Sequence, residues 1–521
     1  MAPIKAIVLA LLAITPVAFS QSSYGGSSCS ATLTASYAAP SVASGYTAML
    51  VAQNLTKPRG IKFDSAGNLL VVEQNVGISV LTPNSGDCPG FSSRKRIITD
   101  STLNHGIEVK HNSSGDWLLA SSTEAVYLWN YSPSSQSNTS APQTIVSNMT
   151  GTDHTTRTLL LTQKAEGFLV VTRGSLENLD ATAADESTGV SQVKAFEISD
   201  TISSPYKYDT DGILLGWGLR NEVGVDEDPV TGNIYGVENS ADQITRDGQD
   251  IHENNPGEEL NFLGNLNNDS VTVSGDRNYG YPSCLAAWSP GDIPNFNGSV
   301  GTQFAIDFPN GTNATDASCA QHTAPRLTFQ AHMAPLDILF NPSGTAAWIT
   351  FHGSWNRDVP SGYKLSVVKF ANGEPTEPST TTTSLLDIVT NQNNSACPNG
   401  CFRPVGLAWD SQGRLFMSSD STGEIYAIYP SDGSPASTVG SNSSTSLPNA
   451  TTPATSSSPT SSTSPSASST TSAATSSVAT STAAEVLPCE EEPPAYTIPL
   501  QAAIHHLPKP SRHPIIHNDR D

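Results

Sequence analysis

The sequence predicts an all-β fold, a six-bladed β-propeller followed by a disordered Ser/Thr/Pro-rich segment. Three observations carry this. A local pattern recurs six times along the chain. Each copy alternates apolar and polar residues about a turn rich in Asp, Asn, Ser and Gly, the pattern of antiparallel strands. From residue 431 the composition turns abruptly to Ser, Thr, Pro and Ala, too poor in apolar surface to order itself.

The copies are GIKFDSAGNLLVVEQNVGISVL from Gly60, GIEVKHNSSGDWLLASSTEAVYLWN from Gly106, TLLLTQKAEGFLVVTRGS from Thr158, NEVGVDEDPVTGNIYGVENSAD from Asn221, PLDILFNPSGTAAWITFHGSW from Pro335 and PVGLAWDSQGRLFMSSDSTGEIYAIY from Pro404. Several spacings approach the roughly 40 to 50 residues of a propeller blade. The long gap after the fourth copy accommodates an insertion around 245–330. Little between the copies sustains a helical period. The propeller is therefore expected over residues 22–430.

Residues 1–20 carry one Lys, an apolar stretch from about Ala6 to Leu12 and small residues before Gln21. This reads as a secretory signal peptide, too short in its apolar part to span a bilayer. No other segment approaches membrane-spanning length, so a secreted, extracellular chain without a membrane partner is expected. Twelve Asn-X-Ser/Thr sequons fit the same route. Residues 431–484 read as an O-glycosylated stalk and 485–521 as a disordered tail, whose His505, His506, His513 and His517 belong to a polar segment. Seven cysteines allow at most three internal bridges. Proximity suggests Cys397 with Cys401 and Cys284 with Cys319, leaving Cys489 as the candidate unpaired thiol. The net charge of −23 excludes nucleic acid as a natural partner, since phosphates need a basic footprint.

In a propeller the first strand of each blade lies innermost, so the residues just before it gather at the mouth of the axial channel. Those residues are Arg59, His105, Arg157, Arg220, His332 and Arg403. Every one is a guanidinium or an imidazole, in a chain with only 25 Lys and Arg. The pattern predicts an anion site on the axis, where the planar fork of Arg suits carboxylates. Ahead of Arg157 stand Asp153 and His154. There a neutral imidazole can accept a hydroxyl proton, with Asp153 ordering the loop.

The motifs TDHTTRTL (152–159), GWGLRNEVGV (216–225), NPGEELNFLG (255–264), NYGYP (278–282), FHGSWNRDVPSGYK (351–364) and FRPVGLAWDSQGRLFMSS (402–419) resemble those of the secreted fungal pyranose dehydrogenases that depend on pyrroloquinoline quinone (PQQ). These are related to soluble bacterial glucose and sorbosone dehydrogenases. The resemblance covers nearly all of 40–430. It implies that PQQ, a flat ortho-quinone with three carboxylates, fills the anion site. It implies His154 as general base, and Arg220 with Asn221 beside the quinone oxygens, where Arg220 stabilises developing charge. Arg403 matches a carboxylate-binding position, Asn104 and His105 face the cofactor, and Arg59, Arg157, His332, His352 and Arg357 border it. Calcium is implied at VENSADQ (237–243), through the carbonyls of Ser240 and Ala241 with Asp242 as an added donor; bacterial relatives carry Gly-Pro at this place and this chain does not.

The implied reaction oxidises a pyranose or aldose by hydride transfer to PQQ, giving a lactone or keto sugar. Electrons then pass to an external acceptor such as a cytochrome, a quinone or a copper monooxygenase. Some family members carry a haem domain before the propeller and a cellulose-binding module after it, and neither is recognisable here. Two other readings compete. A calcium-dependent lactonase-type hydrolytic propeller needs carboxylate or Asn side chains where this chain presents Arg and His. A non-catalytic glycan-binding propeller differs from an enzyme only in lacking redox turnover.

Overall fold

Each sequence repeat becomes the two inner strands of one antiparallel sheet, and six such sheets are arranged as blades. The computed structural model describes residues 29, 32–112, 115–198, 203–267, 277–309, 311 and 313–438. Residues 1–20, read as a signal peptide, and residues 439–521, which include Cys489 and the segments read as stalk and tail, lie outside the described residues.

In blade 1, Pro58–Phe63 is followed outward by Leu69–Glu73, Gly77–Pro83 and Phe91–Thr99. The innermost strands of blades 2 to 6 are Leu103–Asn112, Leu159–Leu161, Glu222–Glu227, Pro335–Phe340 and Pro404–Trp409. Second strands such as Leu69–Glu73 and Ala346–Phe351 are buried at every position. Both faces of such a strand meet neighbouring blades, which is why it reads as a continuous apolar run instead of alternating. The core is accordingly a set of layers between blades. One joins Trp348 and Leu365 of blade 5 to Leu407, Met417 and Tyr426 of blade 6; another joins Tyr235 and Leu260 of blade 4 to Ile338 and Phe351 of blade 5.

The ring closes by strand exchange. The outermost strand of blade 6 is Tyr46–Ala52, paired antiparallel with Glu424–Pro430 in the register Tyr46 opposite Pro430. Residues 431–438, assigned to the stalk from composition, continue to pack here. Ala436 is buried in the layer between blades 5 and 6, and the Ser437 N–H donates to Gly413 O at 3.1 Å.

The segment 245–330, read as an insertion, contains the third and fourth strands of blade 4, Glu258–Asn265 and Leu327–Phe329. Between them lie the hairpin Cys284–Ala286 with Gln303–Ala305 and the four-residue helix Asp316–Cys319. The Cys284–Cys319 disulfide ties helix to hairpin. Cys397–Cys401 is also bridged. A third bridge, Cys29–Cys88, spans 59 residues and offered no proximity cue.

Around the axis, hydroxyls on second strands stitch blade 2 to blade 3, blade 5 to blade 6 and blade 6 to blade 1. Ser121 donates to Arg157 O (2.6 Å), Thr350 to Val405 O (2.6 Å) and Ser418 to Arg59 O (2.7 Å). Ser418 also accepts from the Gly406 N–H at 2.9 Å. Gly406 permits this approach because a Cβ there would stand 2.5 Å from Arg59 O. Every inner strand contributes to the axial cavity, including Lys62, Glu108, Thr158, Asp226, Asp337 and Leu407.

Ser418→Ala leaves two buried main-chain groups without partners. It should lower unfolding free energy by about 1–3 kcal/mol per orphaned group, read as a lower urea midpoint at unchanged slope. The exposed Ser411→Ala should change nothing. An unaltered midpoint for Ser418→Ala would show that the hydroxyl bridges do not hold the ring.

Candidate active site

The first strand of a blade begins where the second ends, so two turns from each blade face one end of the axis. This brings the residues before the inner strands beside those after the second strands, among them Ser175, Asn239, His352 and Asp420.

Asp420 is the centre of one cluster. Its Oδ2 accepts from Arg59 Nη1 (2.5 Å) and its Oδ1 from His352 Nε2 (2.8 Å), while Arg59 Nε donates to His105 Nδ1 at 3.3 Å. One carboxylate of blade 6 thus fixes an Arg of blade 1 and a His of blade 5. Arg403 donates through Nε to His352 O (3.1 Å) and through Nη2 to Gly353 O (2.9 Å), holding the turn that carries His352. Burial and the nearby Arg59 push His105 well below the ordinary imidazole range. Burial, reinforced by Arg403, pushes His352 down to about 4 despite Asp420. Both rings are therefore neutral at pH 7. Burial acts to raise the Asp420 carboxyl, but His352, Arg59 and Arg403 overcome it and hold the group ionised.

Asp242 is the centre of a second cluster. Its Oδ2 accepts from Arg220 Nη2 (3.0 Å), and its Oδ1 from Asn356 Nδ2 (2.9 Å), with His332 Nδ1 at 3.2 Å. Arg220 also donates to Asn178 O (3.2 Å), Asn178 Oδ1 (2.9 Å) and Asn239 O (3.3 Å). His332 Nε2 lies 2.5 Å from His252 O, so both ring nitrogens face acceptors. Burial opposes protonation of His332, yet Asp242 outweighs it and the pKa is raised. His332 and Ala334 both adopt left-handed backbone, φ 63° and 53°, a strained conformation for such residues. It is held by the Ala334 N–H donating to Glu258 Oε1 (3.0 Å) and by His352 N–H donating to Ala334 O (2.8 Å).

His154 faces the second cluster from blade 3. Its Nδ1 lies 2.8 Å from Ser175 Oγ and 3.2 Å from Ser175 O. Ser175 Oγ donates its own proton to Glu177 O at 2.8 Å, so it accepts from His154. Nδ1 consequently carries the hydrogen and Nε2 presents a lone pair. Burial, with Arg220 close by, pushes the pKa down to about 3. Gly174 sits between this ring and blade 4: a Cβ there would meet His154 Cβ and Asn221 Oδ1, each at 2.6 Å. Asn104 donates to Thr155 O (2.9 Å) and Thr123 Oγ1 (3.2 Å), leaving its buried Oδ1 without a partner.

Three expectations are corrected. Asp153 is not what orders the His154 loop, because its carboxylate stands 3.8 Å from Nδ1 and is half exposed. Arg157 performs that task. Fully buried, it donates to Met149 O (2.8 Å), His154 O (2.8 Å) and Thr156 O (2.7 Å), so its guanidinium is committed to the scaffold and not to an axial ligand. Arg357 likewise braces loops, donating to Glu253 O and to Val359 O (3.1 Å).

In the loop predicted to hold a cation, the carbonyls of Ser240 and Ala241 accept no hydrogen bond among the described residues, and Ser240 Oγ is buried without a partner. Bare oxygens of this kind suit a hard cation. Asp242, by contrast, already receives the three donors named above. Among the described residues no three His, Cys, Asp or Glu side chains are arranged to hold a metal by themselves. Sequence reasoning missed Asp420 and Ser175, which follow second strands as His352 and Asp242 do. It also missed a buried carboxyl group set behind the loop: Glu222, Glu238, Glu258 and Glu259, of which Glu222 and Glu238 share the Asn261 amide.

Burial raises Glu222, Glu238 and Glu259, and brings Glu258, Asp226 and Asp337 up to about 7. A carboxyl whose folded pKa is raised stabilises the fold fully below its unfolded value near 4 and loses that contribution as pH rises through the folded value. His154, His352 and His105 act in the opposite sense, but their contribution is complete above about pH 7, the unfolded imidazole having then lost its proton. Chelator-treated protein should therefore melt at lower temperature at pH 8.5 than at pH 7. A melting temperature that rises over this interval would contradict the assignment.

A family model described as TrAA12-like matches residues 40–431. A PQQ-dependent sugar dehydrogenase of Hypocrea jecorina is 45% identical over 408 residues, covering 77% of this chain and 91% of that protein. A PQQ-dependent pyranose dehydrogenase of Coprinopsis cinerea is 37% identical over 405 residues, 74% of this chain but 54% of that longer protein. The calcium structure of the Trichoderma reesei enzyme of carbohydrate-active family AA12 aligns with a TM-score of 0.73 at 44% identity, covering 77% of this chain and 99% of that one. The holo form of the PQQ domain of the Coprinopsis cinerea pyranose dehydrogenase aligns at 0.69 and 36% identity, covering 75% and 97%. Matched over these lengths, the chain belongs to the TrAA12-like family.

Proposed function

We infer that this protein is a PQQ-dependent sugar dehydrogenase that oxidises a pyranose or aldose, with His154 as the base. The observation that carries the residue assignment is the fixed tautomer of His154: Nδ1 is held by Ser175 and the neutral ring offers Nε2. Bound PQQ supplies the hydride acceptor, and calcium beside it a Lewis acid.

The residues fit both groups. Arg59, His105, His352 and Arg403, organised by Asp420, form a polar wall suited to carboxylates. The orphaned Asn104 Oδ1 and the amide of Asn221 lie on the side nearer His154. The unpaired carbonyls of Ser240 and Ala241 are the candidate calcium ligands. Asp242 is better placed to orient Arg220 and His332 than to bind the ion. His154 takes the substrate hydroxyl proton at Nε2, and Arg220, rigid in its four contacts, presents positive charge where negative charge develops. We place the enzyme outside the cell on the strength of residues 1–20, and its electrons with an external cytochrome, quinone or copper monooxygenase.

His154→Gln should leave PQQ affinity intact while kcat falls by about 10² to 10⁴, the usual effect of a lost general base. Arg403→Ala should weaken PQQ binding by about 1.5–3 kcal/mol, with excess cofactor restoring much of the rate. Rescue of His154→Gln by cofactor, without rescue of Arg403→Ala, would reverse the two roles. The wild-type kcat/KM profile should show no acid limb near pH 6.5, since the base titrates at about 3. A midpoint between 6 and 7 would contradict a neutral, buried His154.

A further inference from the structure

Trp355 is 65% exposed, on the loop that follows the second strand of blade 5. That loop is pinned on several sides. Ser354 N–H donates to Ser361 O (2.9 Å), Ser361 N–H to Ser354 Oγ (2.9 Å) and Tyr363 OH to Ser354 O. Asn356, the next residue, reaches inward to Asp242 Oδ1 (2.9 Å), the carboxylate that orients Arg220. Arg357 ties the far side to Glu253 O. The chain therefore holds a large apolar ring in water, one residue from the inner network. A rigidly held, exposed indole offers a flat apolar face on which a ring of matching size can stack.

The patch is small. Only Val359, 70% exposed on the same loop, accompanies the indole as an exposed large apolar side chain, whereas a stable protein partner needs about 800 Å² on each side. An indole face suits the C–H face of one pyranose ring, with a polar rim to receive its hydroxyls. That rim exists: Glu253 stays partly exposed, Asp358 is exposed, and the Asp358 N–H donates to Glu253 Oε2 at 3.2 Å. Glu253 is ion-paired with Arg357 at 3.3 Å, so Asp358 is the rim carboxylate left to accept hydrogen bonds from sugar hydroxyls and to repel an anionic sugar.

We propose that Trp355 is the stacking platform for the substrate's pyranose ring and, with its acidic rim, selects neutral sugars over uronic acids. This rests on the sugar dehydrogenase reading above.

The test uses PQQ- and calcium-loaded full-length wild type, Trp355→Ala and Trp355→Phe, assayed with D-glucose, D-galactose and D-glucuronate, with PQQ affinity measured separately on each apo-protein. Trp355→Ala should raise KM for the neutral sugars by about 10-fold, with kcat and PQQ affinity unchanged, and Trp355→Phe should recover most of the loss. In the wild type the glucuronate KM should exceed that of glucose. Unchanged KM in Trp355→Ala, a fall in its PQQ affinity, or preference for glucuronate would each overturn the proposal. A wild type that binds PQQ yet oxidises no sugar would instead sink the underlying reading.

Discussion

The inner strands of neighbouring blades lie close enough for a single side chain, a hydroxyl at three of the six seams, to hydrogen-bond the next blade's main chain, and the rest of the molecule depends on that closeness. Ser121, Thr350 and Ser418 each reach from a second strand to the main chain of the following blade's first strand. Two of the carbonyls so held, those of Arg157 and Arg59, belong to residues at strand entrances. The bonds that close the ring therefore also set the heights at which charged side chains meet at its end. Apolar layers between blades supply most of the burial, but they do not specify register around the axis. Hydroxyl bridges at three seams, with Asp226 accepting from Phe340 N–H and Asp337 from Leu407 N–H, tie inner strands together.

Convergence creates an electrostatic difficulty that the chain resolves with two carboxylates. Arg59, Arg220 and Arg403 are drawn into one buried region with four imidazoles, and unpaired charge there would be costly. Asp420 joins blades 5, 6 and 1, and Asp242 joins blades 4 and 5. Each pairs with an Arg and a His, so every side chain in the cluster has one orientation before any ligand arrives. On the proposed site assignment this amounts to preorganisation: dipoles and charges would be aimed before any reacting group arrives. His154 shows the same economy of means, its tautomer set by one serine whose own proton is committed elsewhere.

How far the sequence revealed this follows from what repeats and what does not. Blade number and the inner strands were legible because alternation and turn chemistry recur in six copies, and the six cations were legible because they share one offset within the repeat. Arg157 shares that offset yet serves the scaffold, since the short inner strand Leu159–Leu161 leaves a long loop whose carbonyls need donors. Offset gives a residue's place but not the direction of its side chain. Asp420 escaped notice because the turns after second strands share no residue type across the six copies, so no repeat offset points to it. Ser175 lies 21 residues from His154, and no local pattern joins them. The outer strands of blade 4 were hidden by the hairpin and disulfide placed between them.

Whether this axial face receives a tricarboxylate quinone with calcium and oxidises sugar with it is open to direct test. The most direct measurement is reconstitution. Protein stripped of cofactor and divalent cation is titrated with PQQ in the presence of calcium, following quinone absorbance and sugar-dependent dye reduction together. Binding should saturate near one PQQ per chain, with dye reduction rising in step and lost on chelation. Absence of PQQ binding, or sugar-lactone hydrolysis without any quinone, would contradict it.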